Sequence, residues 1–96
     1  MTKADIVAQV AEQTGMDRNE VQKIVESFME NVKGAIISGK NVYFRGFGSF
    51  IIKERAEKIG RNISKKTFIT IPAHNIPAFK PAKSFVEKVK DNVKVK

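Results

Sequence analysis

Lys53-Glu54-Arg55-Ala56-Glu57-Lys58-Ile59-Gly60-Arg61-Asn62-Ile63-Ser64-Lys65-Lys66 leads into Thr67-Phe68-Ile69-Thr70-Ile71 and then Pro72-Ala73-His74-Asn75-Ile76-Pro77-Ala78-Phe79-Lys80-Pro81. Through Lys66 the stretch holds six cations against two acids, with a turn-forming Gly60-Arg61-Asn62 near its middle and one apolar residue, Ile63, just past it. It is too polar for a core, and its flanks are too β-prone for a random tail. We read it as a cationic β-arm, about residues 53–74, with an apolar tip. The remainder of the chain is then whatever holds that arm.

The 96 residues are expected to form a single domain. With the arm set aside, about 74 residues are left for a core, a size at which burial rarely supplies more than about 3–5 kcal/mol. A partner chain is the expected remedy, because the absence of cysteine removes disulfides and thiolate metal sites. No apolar run approaches the roughly 18 residues needed to cross a bilayer, and no signal-peptide core stands at the N-terminus. The expectation is a soluble, cytoplasmic protein without a membrane partner. The net charge of +8 is segregated: five Lys/Arg face six Asp/Glu through Asn41, whereas thirteen face four from Val42 onward. Solubility does not require such segregation, so the second half is expected to meet a polyanion, foremost nucleic acid.

Thr2 and Asp5 have the spacing of a capping box, and Ile6, Val7, Val10 and Ala11 recur at helical spacing before Gly15, which predicts a helix over 3–14. Asp17 and Glu20 suggest a second box, with Met16 and Val21 as a hydrophobic staple. The stripe Val21, Ile24, Val25, Phe28, Met29, Val32, Ala35, Ile36 then predicts a long helix over 18–38, closed by Gly39. That stripe needs a larger surface than the first helix offers, and Gly34 weakens the helix unless another backbone approaches it. Val42–Arg45 and Ser49–Ile52 read as strands of a hairpin around Gly46-Phe47-Gly48. Pro72, Pro77 and Pro81 each remove a ladder donor, which suits a bent or edge strand. Phe85, Val86 and Val89 predict a short helix over 83–91, with residues 92–96 fraying. The fold class is therefore α+β: a helical body, a three-stranded antiparallel sheet extended into a β-ribbon arm, and a short C-terminal helix.

Behind two amphipathic helices stand the strings Gly46-Phe47-Gly48-Ser49-Phe50, Gly60-Arg61-Asn62 and Ile76-Pro77-Ala78-Phe79-Lys80-Pro81. Together and at these spacings they resemble the bacterial histone-like HU/IHF family, from Lys3 to about Val89. The resemblance implies an intertwined dimer, homo- or heterodimeric, with a helical dimerisation body, a sheet forming a saddle, and two arms that wrap DNA through the minor groove. It places Phe28, Phe47, Phe50 and Phe79 in the dimer core, although ordinary intrachain packing explains such aromatics equally well. Most of the phenylalanines, and Tyr43 with them, fall at core-like positions. The family's arm tip commonly carries proline directly after the Arg-Asn pair, and here Ile63 stands there; Lys65-Lys66 replaces the usual glycine of the following turn.

Compact apolar side chains, isoleucine included, wedge between base steps in minor-groove benders. Ile63 can therefore serve, although unlike proline it has an amide N–H and a freer backbone. Arg61 suits the narrow, negative minor groove, and Asn62 either reads base edges or shapes the turn. Lys53, Arg55, Lys58, Lys65 and Lys66, with Ser64 at the tip, are expected along the arm against phosphates, Lys80 and Lys83 on the saddle, and Lys3 at a helix start, where free amides and the helix dipole also favour phosphate. Lys88, Lys90, Lys94 and Lys96 are read as solvated. Such contacts give affinity without sequence and favour bent or distorted DNA. The expected role is an architectural nucleoid protein that binds and bends duplex DNA. An IHF-like member with site preference, an RNA-binding module and a cationic structural protein are the alternatives. No catalytic constellation, cofactor or metal site is read: the lone His74 has no cysteine or acidic cluster beside it, and neither Ser49 nor Ser64 has a base at motif spacing.

Overall fold

In a computed structural model, residues 1–62 and 67–95 are described, with the backbone alone at Arg61, Asn62 and Thr67. The order of elements is α1 (Lys3–Thr14), α2 (Arg18–Ile37), β1 (Val42–Phe44), β2 (Gly48–Arg55), β3 (Lys58–Asn62), β4 (Thr67–Ile71), β5 (His74–Pro81) and α3 (Lys83–Asn92). The fold is α+β, as the residue pattern predicts.

Helix α1 begins where the capping box places it. Thr2 Oγ1 accepts from the Asp5 amide at 3.3 Å, and Asp5 Oδ2 accepts from the Thr2 amide at 2.8 Å. Gly15, at φ 72°, ends the helix in the left-handed conformation that costs glycine little. The second box forms only in part: Asp17 Oδ2 accepts from the Asn19 amide at 3.2 Å, and no return bond from Glu20 exists among the described contacts. Helix α2 crosses α1 through Val7 and Val21, each 2% exposed, the buried hydrophobic core among the described residues.

Strands β1, β2 and β5 form one antiparallel sheet in the order β1-β2-β5, and β3 with β4 forms a separate two-stranded ribbon. The arm is thus not a continuation of β2. Arg55 pairs His74 in the sheet and Lys58 pairs Ile71 in the ribbon, so Ala56-Glu57 and Pro72-Ala73 interrupt both strands at the same level. Pro72 explains one side, since it lacks the donor a ladder needs.

The prolines of β5 are also placed by hydrogen bonding. The Ile52 amide points toward β1, where Asn41 Oδ1 accepts it at 3.0 Å and lengthens the β1 side of the ladder. Ile52 and Gly48, of the same parity, pair Pro77 and Pro81. Antiparallel pairing then turns the donorless nitrogens of both prolines to the open edge of β5. An edge so stripped of donors is a poor template for another strand.

Between α2 and the sheet runs a chain of aromatic contacts. Phe44 is its hub, with ring centroids 5.3 Å from Phe28, 6.0 Å from Phe50 and 6.4 Å from Phe47. Phe79 lies 4.9 Å from Phe50 and 5.2 Å from Phe47, and Phe85 of α3 stacks on Phe47 at 5.8 Å. The Ala82 amide donates to the Phe47 carbonyl at 2.9 Å, which fixes the start of α3 on the hairpin turn. Phe28, Phe47 and Phe79 nevertheless remain exposed, at 48%, 47% and 39%.

The chain is extended, measuring 59 × 35 × 28 Å with a radius of gyration of 19.0 Å. A compact chain of this length would have a radius near ~12–13 Å. Its accessible surface is 8539 Å², against about 5,500 Å² for a compact monomer of this mass.

Candidate nucleic-acid interface

Alternation along the strands sorts the cations. On β2 the residues Ser49, Ile51, Lys53 and Arg55 share one face, and their β5 partners Lys80, Ala78, Ile76 and His74 lie on the same side of the sheet. Tyr43 joins them through its pairing with Ser49. The opposite face carries Val42, Phe44, Phe50, Ile52, Pro77 and Phe79, turned to the helices. The sheet therefore separates an aromatic face from a cationic one, and Lys53, Arg55 and Lys80 stand together on the latter; Lys53 and Arg55, expected along an arm over 53–74, belong to the sheet instead, because the ribbon starts only at Lys58.

Tyr43, Arg45, Ser49, Lys80 and Lys83 line a shallow groove on this cationic side, where the hairpin turn meets the start of α3. Arg45 belongs to this cluster although its position in the sequence did not single it out. Tyr43 corrects an expectation, since it is 71% exposed and not core. Val42 and Phe44 take the helix-facing side, so alternation sends Tyr43 outward.

In the ribbon, Lys58 pairs Ile71, Ile59 pairs Thr70, Gly60 pairs Ile69, Arg61 pairs Phe68 and Asn62 pairs Thr67. Ile59 and Phe68 are diagonal neighbours on one face, 68% and 74% exposed, whereas Ile69 and Ile71 are exposed on the other. Phe68, like Tyr43, thus stands apart from the chain of aromatic contacts between α2 and the sheet. The tip residues Ile63, Ser64, Lys65 and Lys66 lie outside the described residues.

Lys3 is placed differently from the other cations. Its Nζ donates to Glu26 Oε1 at 3.0 Å, an ion pair joining the start of α1 to α2. That bond, with help from the Gln22 amide, holds the Glu26 carboxyl below its ordinary value of 4.5. A phosphate at Lys3 would have to compete with Glu26. Among the described residues, no group of three or more His, Cys, Asp or Glu is placed to hold a metal ion, and no helix is long and apolar enough to cross a membrane.

A two-helix base, a sheet with one cationic face and a separate projecting ribbon define the class of β-arm nucleic-acid-binding folds. The family described as bacterial DNA-binding protein matches residues 1–90. The chain belongs to that family, the HU/IHF family. It is 40% identical over 90 residues to the DNA-binding protein HU of Thermus thermophilus, covering 94% of this chain and 93% of that protein. It is 42% identical over 90 residues to the prophage-derived DNA-binding protein HU 2 of Bacillus subtilis, covering 94% and 98%. Among solved structures, it resembles the Anabaena HU–DNA cocrystal structure with a TM-score of 0.88 at 36% identity, covering 94% of this chain and 98% of that one. HU from Thermotoga maritima aligns with a TM-score of 0.66 at 28% identity, covering 94% and 100%.

Proposed function

We propose that this chain is an architectural nucleoid protein whose dimer binds duplex DNA largely without sequence specificity and bends it, and that it is not an enzyme. The observation that carries the reading is the sorting of Lys53, Arg55 and Lys80 onto one face of the sheet, with Arg45 and Lys83 lining the groove beside it. Phosphate contacts of this kind supply affinity that no base sequence alters. The kinship to HU proteins, one of them solved with DNA, supports the same reading.

Surface that a single chain leaves uncovered supports dimerisation. A groove of ≈ 400 Å³ between α2 and the sheet is lined by Phe28, Met29, Val32, Ile36, Phe50 and Pro77. A side-chain carbon built on Gly34 meets nothing within 4 Å, which leaves room for a second backbone against α2. Stable obligate interfaces bury on the order of 2,000–5,000 Å² in total, a scale the excess surface of two such chains can supply. A homodimer is the simplest assembly, since one self-complementary face serves both copies.

The arms then enter the minor groove from both sides, with Arg61 against the groove walls and Ile63 as the wedge. Because bending costs energy, duplexes already nicked, flexible or distorted should be preferred. Binding measured across salt concentrations tests the electrostatic core of this reading. Six to ten neutralised phosphates per dimer give a log–log slope of about −5 to −9. A slope near zero would remove the phosphate contacts from the explanation.

A further inference from the structure

We propose that His74 is a pH-gated DNA contact at the root of the arm, a reading that rests on the DNA-binding function above and adds proton dependence to it. His74 is the first residue of β5, directly after the interruption Pro72-Ala73, and it is exposed. Its register partner is Arg55, with Lys53 diagonal to it on the same cationic face. Glu54 and Asn75 lie on the opposite face, and Glu57 falls in the facing interruption. Any phosphate drawn to Lys53 and Arg55 therefore comes within reach of the imidazole.

The ring's hydrogen bonding decides what that phosphate meets. Nδ1 lies 3.0 Å from the Pro72 carbonyl oxygen. A carbonyl can only accept, so this bond assigns the hydrogen to Nδ1. The neutral ring then has a lone pair on Nε2, for which no partner exists among the described residues. A phosphate oxygen is also an acceptor, so neutral His74 offers it nothing. Protonation at Nε2 adds both a positive charge and a donor, and a charge-assisted hydrogen bond becomes available without breaking the Pro72 contact. Imidazole is the side chain that ordinarily changes charge between about pH 5 and 8. The chain has one histidine and no cysteine.

Binding to a fluorescent duplex, followed by anisotropy over a range of chloride concentrations at pH 5.5 and pH 8.0, tests the proposal. Two histidines per dimer should steepen the wild-type log–log slope at pH 5.5 by about 1–2 and tighten binding about three- to tenfold near 0.1 M salt. That difference between the two pH values should vanish in His74→Gln, which cannot charge. It should also vanish in His74→Lys, which is charged throughout and should keep the steeper slope at both. If His74→Gln retains the wild-type pH dependence, the proton acts elsewhere and the His74 proposal falls while DNA binding stands. Binding that is absent or independent of salt at both pH values overturns the DNA-binding reading and this one together.

Discussion

Gly48 is the residue that the sheet can least exchange. A β-carbon built there would lie 2.6 Å from the Lys80 carbonyl oxygen and 2.6 Å from the Phe79 ring, at a φ of +157°. The ring can shift, but the carbonyl belongs to the β5 backbone paired across from it. Gly48→Ala should therefore cost about 2–3 kcal/mol of stability, read as a lower urea midpoint. A midpoint unchanged within error would mean that β2 and β5 do not approach as closely as described. Ile63 poses a different question, since the role proposed for it concerns bound DNA. Ile63→Ala removes most of a compact apolar side chain and no charge, so if Ile63 is the wedge it should reduce DNA bending, followed by energy transfer between end labels, more than it reduces affinity. Equal losses in both, or intact bending, would leave Ile63 outside the base stack.

Elements with local signals are legible in the order of the residues alone. Thr2, Asp5 and Gly15 bound α1 through contacts spanning at most four residues, and β5 lies at an edge because Pro77 and Pro81 cannot donate. What escaped the sequence depends on pairing between distant segments. The level interruption at Ala56-Glu57 and Pro72-Ala73 exists only through register, and Phe44 becomes the aromatic hub only once α2 and the hairpin meet. Arg45 and Lys83 likewise come to line one groove across a separation that no short motif encodes. The Lys3–Glu26 bond is of this kind, and with the α1 cap it gives the helices a share in acid stability. The Thr2 amide, then its hydroxyl, lowers the Asp5 carboxyl from its ordinary 3.8, and Lys3 does the same for Glu26 from 4.5. Both groups bind protons less readily when folded, so their contribution is full above those ordinary values and is lost as pH falls through the lower native ones. Urea midpoints should drop below about pH 4.5, and the drop should be shallower in Asp5→Asn combined with Glu26→Gln. An identical acid limb in that double variant would assign acid sensitivity to other carboxylates.

The whole molecule is organised by two separations. Charge is divided along the sequence, acidic before Val42 and basic after it, and the sheet divides it again across its faces. The aromatic face, with its groove and exposed Phe28, Phe47 and Phe79, is turned to the helices and to the surface a second copy would cover. The cationic face and the ribbon are left for DNA. With Ile63 proposed as the wedge, the geometry of the bend is the sharpest test of how this chain works. The direct measurement is energy transfer between the two ends of a labelled duplex of about 30 base pairs, a length over which a protein-induced bend brings the ends measurably closer. Titration with the protein should raise the transfer and saturate at two chains per duplex, with the effect weakened by salt. Tight, salt-dependent binding that leaves the end-to-end distance unchanged would contradict a bending dimer, whatever the affinity.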